Sequence, residues 1–465
     1  MTDELFNKVV AGGYCIGCGI CSAKSNGGIV IEMNDRGMYE ARLTQGGVVP
    51  NDFALICPFS GGSPDEDKLG DEYFNATGAQ RHPEIGYYHN CYAGHVVEDG
   101  YREAGSSGGF VSWLLVQLLR RGLIDGVLHV APQNSEHLFS YAISRTEAEI
   151  RSRAKSRYYP VEASEALAMV REMPGRYAMV GVPCFIKAVN LLAKSDPQMK
   201  ARIIFRIGII CGHLKSSRFA DYLAERAGLD PDEMTAIDFR KKLPPRMAAD
   251  YGAEISTAGK AVGVRMAETY GGNWGYGFFK YEACNFCDDV VGETADVSVG
   301  DAWLPGYVQD ANGTNVVVTR HPEIVKIVEE ARASGRLGFD TIDAATVAQS
   351  QLGGLRDRRE GLAFRLAQAD QQGRWYPKKR VKAAQDLPRK RRRVYELRYL
   401  ISQRSHMAYA KARAAGSLAL FEQEMHPLTD AYDRLYQPDV FVRCRRFAGR
   451  AVRKLISLIT RSAGT

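Results

Sequence analysis

The stretch RYAMVGVPCFIKAVNLLAK, residues 176–194, decides how the chain is read. Arg176–Val182 is an apolar run of strand length, and the segment after Pro183 carries apolar residues at helical spacing. The same alternation recurs on both sides. GVLHVA (126–131) follows the helical FVSWLLVQLL (110–119), and RIIFRIGII (202–210) runs into SRFADYLAERAG. ADVSVGD (295–301) and TNVVVT (314–319) come later, the second leading into PEIVKIVEEARASG. Strands alternating with helices predict an α/β fold, a mixed and largely parallel sheet with flanking helices. Beyond about residue 340 the pattern turns helical and rich in Arg and Ala.

With 465 residues the chain is too long for one core. The expected division is a small cysteine-bearing unit at 1–70, an α/β domain at 86–335 and a basic helical extension at 340–465. Composition is that of a globular protein. The longest apolar run, at Phe110, is about half the length a spanning helix needs. MTDELFNKVV carries acid where a secretory signal needs base, so a cytoplasmic location is expected. Charge is uneven: residues 371–465 hold 22 basic and 7 acidic side chains, the rest 39 basic and 47 acidic. An acidic body carries a basic tail.

In a reducing compartment, closely spaced cysteines bind metal or do redox work more often than they form disulfides. YCIGCGICSAKSNGG (14–28) sets Cys15, Cys18 and Cys21 at three-residue intervals with Gly17 and Gly19 between them. Successive sulfurs of such a run project into one concavity, and glycines let the backbone crowd a small inorganic cube. GIVIEMNDRGMYEARL (28–43) reads as a hairpin turning at Asn34–Gly37, and it would return Cys57, followed by Pro58, as the fourth ligand of a ferredoxin-like 4Fe–4S site. Zinc is the alternative, although zinc ribbons pair two separated C-x-x-C knuckles.

A second set is dispersed. Cys184 and Cys211 each stand just past a strand, and YEACNFCDD supplies Cys284 and Cys287 as a pair. Strand ends in α/β sheets are where ligands gather. Taken singly, however, Cys184 and Cys211 read more readily as small core residues than as ligands, and the pair alone could bind zinc. Cys91 and Cys444 have no partners and read as structural. The small residues Gly105, Ser106, Ser107, Gly108 and Gly109 run directly into an apolar helix, so its free N–H groups suit a phosphate or simply an ordinary cap.

In this order, CIGCGICS, SSGGFVSWLL, SRYYPVEASEAL, VGVPCFIKAV, IGIICGH, DFRKK and CNFCDDVVGETADVSVGDAW resemble the coenzyme F420 hydrogenase/dehydrogenase β-subunit family over about residues 10–320. These are iron–sulfur flavoproteins, and the family includes hydroxymethyl-chlorophyll and divinyl-chlorophyllide reductases. The resemblance implies that Cys184, Cys211, Cys284 and Cys287 hold a second 4Fe–4S cluster near FAD. It implies that Ser106, Ser107, Gly108 and Gly109 meet the flavin, with Ser156, Arg157, Tyr158 and Asp301. Lys155 stands where the family usually has Gly, and the tryptophan that commonly follows the Arg240-x-Lys242 pattern is missing.

The expected function is that of a reductase. A ferredoxin-like donor would charge the first cluster, and the second would feed FAD, which reduces a small organic substrate. The alternatives are an electron-relay subunit of a larger redox complex, or a zinc-stapled accessory protein of polysaccharide biosynthesis. His213 reads as a hydrogen-bonded neighbour of the cluster rather than a catalytic acid. DVFVRCRRFAGRAVRKLISLITRS (439–462) reads as a basic amphipathic helix that packs on the acidic body or lies on the inner membrane surface. No nucleic-acid module accompanies its charge.

Overall fold

The computed structural model describes residues 2–133 and 137–437, so the segment 439–462 lies outside the described residues. Helix Thr2–Ala11 opens the chain, followed by the cysteine run, a short helix at Ile20–Lys24, and the hairpin β1 (Ile29–Met33) and β2 (Tyr39–Leu43). Asn34 closes that hairpin with its backbone N–H on Met38 O, and Gly37 supplies the left-handed residue at φ 69°. A second short hairpin, β3 (Gln80–His82) and β4 (Gly86–Tyr88), leads into the large sheet.

That sheet takes β5 (Asn90–Val96), β6 (Gly126–Pro132), β7 (Phe139–Ser144), β8 (Tyr177–Gly181) and β9 (Ile203–Ile209). A separate antiparallel sheet of β10 (Ala236–Lys241), β11 (Gly252–Thr257) and β12 (Lys260–Arg265) intervenes. The large sheet then resumes with β13 (Val297–Asp301), β14 (Asn315–Thr319) and β15 (Leu337–Ile342), in the order β15-β5-β14-β13-β9-β8-β6-β7. Its parallel part is only β13-β9-β8-β6; the pairings β6·β7, β13·β14, β14·β5 and β5·β15 are antiparallel. The sheet is therefore less parallel than the sequence suggested. β13 and β14 are joined by a helix-free loop, and a chain that returns without a crossover helix must pair antiparallel.

Period-two alternation sends β8 residues to two cores. Tyr177 and Met179 face the helices Ser164–Glu172 and Pro183–Ser195, while Ala178 faces Phe110–Arg120 and Pro322–Ala333. Pro183 starts its helix at a position where no N–H is needed. The first of these cores also contains Phe6, Val9, Tyr14 and Ile20 from the N-terminal unit, and Leu362, Leu366 and Ala369 from the helix Leu362–Gln371. The segments 1–70 and 86–335 thus share one core with the residues 362–369, and β15 crosses the expected break near 335–340. Helices Arg389–Ala414 and Leu418–Tyr436 pack as a pair over the small sheet. Ion pairs hold them to the body: Arg391 to Glu360 at 2.8 Å, Arg398 to Asp357 at 3.3 Å and Arg413 to Asp232 at 3.1 Å.

Leu192, fully buried between the sheet and the N-terminal unit, reports on this shared core. Leu192→Ala should destabilise the protein by about 2–5 kcal/mol, seen as a lower midpoint in urea unfolding. A midpoint that stays in place would mean that the core relaxes around the loss.

Candidate metal centres

Gly17 and Gly19 stand at φ 65° and 83°, a region L side chains avoid. A Cβ at Gly17 would lie 2.4 Å from Tyr39 Cβ, and one at Gly19 would lie 2.5 Å from Ser164 N. The cysteine loop is thus pressed onto β2 and onto the start of the helix Ser164–Glu172. Main-chain N–H groups reach each sulfur: Gly17 and Ala41 that of Cys15, Ile20 that of Cys18, Ser22 that of Cys21 and Phe59 that of Cys57. The Ala41 contact is 3.4 Å. Burial pushes the Cys18 thiol up to about 12 and raises Cys15, Cys21 and Cys57 as well. Cys21 feels the charges of Cys18, Cys15 and Cys57, which places the four in one group.

The second group assembles from three distant segments. Cys184 lies in the first turn of the helix Pro183–Ser195, Cys211 just past β9, Cys284 in the turn Glu282–Phe286, and Cys287 just after it. Cys184 feels Cys287, Cys211 and Cys284 in turn, so the dispersed cysteines do converge. Leu214 N–H donates to Cys284 Sγ at 3.2 Å, and burial followed by the Cys287 charge lifts that thiol to about 11. Cys91, on β5, instead faces an apolar core. Among the described residues, no three His, Cys, Asp or Glu side chains stand close enough to hold a single metal ion. A four-iron cube is far larger than an ion and does not require that closeness; four thiols in each group fit it, all met by N–H donors in the first group and, among the described residues, Cys284 alone in the second.

The two groups adjoin. Cys184 also feels Cys18, and buried Tyr141, which donates to Val180 O at 2.9 Å, feels both. Tyr281, whose hydroxyl oxygen accepts the Tyr39 N–H at 3.1 Å, feels Cys15 and Cys284. Neither tyrosine stands out in the sequence, because each lies far along the chain from at least one of the cysteines it joins.

The candidate flavin residues also come together. Ser106 Oγ accepts the Ser156 N–H at 2.8 Å, and Ser107 donates to Thr314 O at 3.1 Å. A Cβ on Gly108 would meet Asn315 Oδ1 at 2.7 Å, and Gly109, at φ 84°, precedes the helix. Asn315 Oδ1 also takes the Phe110 N–H at 3.1 Å, so part of that helix start is already capped from β14. Arg240 links the segments, donating to Asp301 at 3.0 Å and to the Tyr158 hydroxyl at 3.4 Å. Its guanidinium lies 4.4 Å from the Tyr251 ring centre and 5.8 Å from that of Trp303, aromatic cover that the missing tryptophan of the pattern does not give. Lys242 donates to Ser107 O at 3.0 Å and to Arg102 O, and burial with the nearby cations Lys155 and Arg102 draws its ammonium down to about 8. Arg157 Nε is buried without a partner. Of these residues, Ser106, Arg240, Lys242 and Tyr251 line a recess together with Asp250 and Gly313. Arg240 and Lys242 outnumber the one carboxylate of that lining, Asp250, and suit an anionic group such as a flavin nucleotide's phosphates. Tyr158 feels Cys211 and packs on Trp274 with ring centres 4.7 Å apart, so the recess adjoins the second cysteine group. His213, buried against Trp274 at 4.6 Å, has no hydrogen bond at Nε2 and is held neutral by burial and by Lys215.

Fold and site define a class, an α/β protein carrying two adjoining groups of four cysteines. The models of the coenzyme F420 hydrogenase/dehydrogenase β subunit match residues 91–168 with its N-terminal part and 175–345 with its C-terminal part, more than half of the chain, and the chain belongs to that family. It is similar to a coenzyme F420-dependent sulfite reductase of Methanocaldococcus jannaschii, 23% identical over 347 residues. That alignment covers 71% of this chain, which spans about half (48%) of the reductase's length. It is 22% identical over 243 residues to the coenzyme F420 hydrogenase subunit beta of Methanococcus voltae, covering 49% of this chain and 80% of that subunit. A chain of the F420-reducing [NiFe] hydrogenase complex from Methanosarcina barkeri aligns with a TM-score of 0.47 at 18% identity, covering 60% of this chain and 92% of that one. No helix among the described residues is long and apolar enough to cross a membrane.

Lys155 takes φ 111° where the family pattern has Gly, and its ammonium pairs with Asp238 at 3.0 Å. Holding a side chain there costs on the order of 1–3 kcal/mol. Lys155→Gly should therefore leave the melting temperature equal or higher, while Lys155→Val should lower it. A large loss of stability in the glycine variant would show that the Asp238 pair outweighs the strain.

Proposed function

We propose that the chain is an iron–sulfur flavoprotein oxidoreductase. In this reading Cys15, Cys18, Cys21 and Cys57 hold one 4Fe–4S cluster, and Cys184, Cys211, Cys284 and Cys287 hold the other. Ser106–Gly109, Ser156, Arg157, Tyr158 and Asp301 border the FAD site. The single observation that carries it is the convergence of eight thiols into two groups that meet at Cys18 and Cys184. Bound there, the clusters would carry single electrons and the flavin would pair them for a two-electron reduction.

The protein's own residues prepare the sites. N–H donors to sulfur favour the thiolate over the thiol that burial alone would impose. Tyr141 and Tyr281 fill the space between the groups and exclude water from it. Tyr158 and Trp274 close the side of the second group that faces the recess. Lys242 and Arg157 place positive charge where a cofactor phosphate would rest, and Arg240 with Asp301 fixes the loops around it. Trp303, partly exposed beside Arg240, borders the approach for a small organic substrate. A ferredoxin-like protein is the donor proposed for the first group.

One observation favours a second reading, an electron-relay subunit. The matched hydrogenase relative is named a subunit, and the chain spans only about half of the matched sulfite reductase.

Protein purified without oxygen should carry about eight irons and one FAD per chain, with Cys184→Ser retaining about half the iron. Zinc in place of iron, or a colourless preparation, would overturn the proposal. Reduction of a small substrate by the isolated chain, against transfer only in the presence of a partner, separates enzyme from relay.

A further inference from the structure

Beyond residue 345, where the family match ends, the chain forms the helix Leu352–Arg356, a π turn at Asp357–Gly361 and the helix Leu362–Gln371. Single π turns recur at functional sites because the extra residue re-aims a side chain. Here the turn carries Arg358, which is buried. Its Nη2 donates to Gly212 O at 2.5 Å and to Cys211 O at 3.4 Å, while its Nε has no partner. The adjacent carboxylate, Asp357, is engaged by Arg365 and Arg398, each at 3.3 Å. A guanidinium held this way is expensive to bury unless negative charge lies close by. The charges it meets are those of Cys287 and Cys211, then of Asp357, which Arg365 and Arg398 already engage, and of Cys284.

Two buried lysines also lie by this group, though burial draws the ammonium of each down to about 7. Lys215 donates to Phe278 O at 2.6 Å, and both Lys215 and Lys280 act on Cys284. Asp289 acts on Cys211 in the opposite sense. The first group has the opposite surroundings. Glu40 acts on Cys15 and Glu162 on Cys18, while the cation acting on Cys57, Lys187, is itself ion-paired with Glu66 at 3.1 Å.

We infer that Arg358 is a positioning residue that raises the reduction potential of the Cys184/Cys211/Cys284/Cys287 site above that of the Cys15/Cys18/Cys21/Cys57 site, so that electrons entering at the N-terminal group run downhill toward the recess. The inference rests on the cluster reading above. Four thiolates leave such a cluster net anionic, and reduction adds one further negative charge, so a fixed cation stabilises the reduced form more than the oxidised one. Carboxylates beside the first group act in the reverse sense. The electron step is a one-electron exchange between two centres: the first is oxidised as the second is reduced, with no bond made or broken.

A redox titration of the full chain, followed by the paramagnetic signals of the reduced state, should give two waves, the lower of which disappears in Cys57→Ser. Arg358→Gln should move the higher wave downward, leave the lower one in place and keep the iron content unchanged; Arg358→Lys should keep the higher wave near its original position. If Arg358→Gln sheds iron, the double variant Glu40→Gln/Glu162→Gln tests the same asymmetry, and it should raise the lower wave and narrow the gap. The inference fails if Arg358→Gln keeps its iron and the higher wave stays put, if the double variant leaves the lower wave where it was, or if Cys57→Ser removes the higher wave. Wild-type protein without iron would instead defeat the cluster reading itself.

Discussion

Cys184 feels the charge of Cys18 although the two lie far apart in sequence, and what brings them near is the packing of the N-terminal unit onto β8 and the helix Pro183–Ser195. It exists because the N-terminal unit has no apolar interior of its own to bury. Phe6, Val9, Tyr14, Ile16 and Ile20 bury themselves against β8 and the helix Pro183–Ser195, whose first turn carries Cys184. Burial of apolar area, at roughly 25 cal/mol per Å2, is the force that holds the two cysteine groups together. Metal ligation would be added to a scaffold already in register.

The C-terminal segment has a comparable task on the other side. Tyr399 and Gln403 hold Glu282, Arg365 reaches Asn285 O at 2.7 Å, Ser405 accepts the Phe279 N–H at 2.9 Å, and His406 meets Lys280 O at 3.2 Å. All of these partners lie on the stretch that delivers Cys284 and Cys287. A 3-10 turn with few bonds of its own is thus fixed from outside by helices that the family match does not include. Chain added beyond the common fold has become the wall of the second site.

Charge runs through the same architecture. Positive groups from the C-terminal helices and from the loop after β9 surround the second set of thiols, whereas carboxylates stand near the first. Inside a protein such fields are screened much less than at the surface, so a handful of fixed charges can order two chemically similar sites. The recess bordered by Arg240, Lys242 and Ser106 lies at the end of that sequence, next to Tyr158 and Trp274.

Local features were legible in the sequence by itself. The three-residue spacing of Cys15, Cys18 and Cys21, the turn at Asn34–Gly37, the strand and helix flanking Pro183 and the buried helix at Phe110 depend on neighbours only a few residues away, and the sequence pattern carries that information. Cys184 and Cys211 read more readily as core residues, because nothing in a single strand end says what will face it. The resemblance implied their grouping with Cys284 and Cys287, but the bridging places of Tyr141 and Tyr281 and the cation that a π turn sets against Cys211 were decided only by the tertiary structure. Each joins segments separated by tens to hundreds of residues, and such contacts are set by which apolar faces find each other on folding, a long-range outcome that no local spacing encodes.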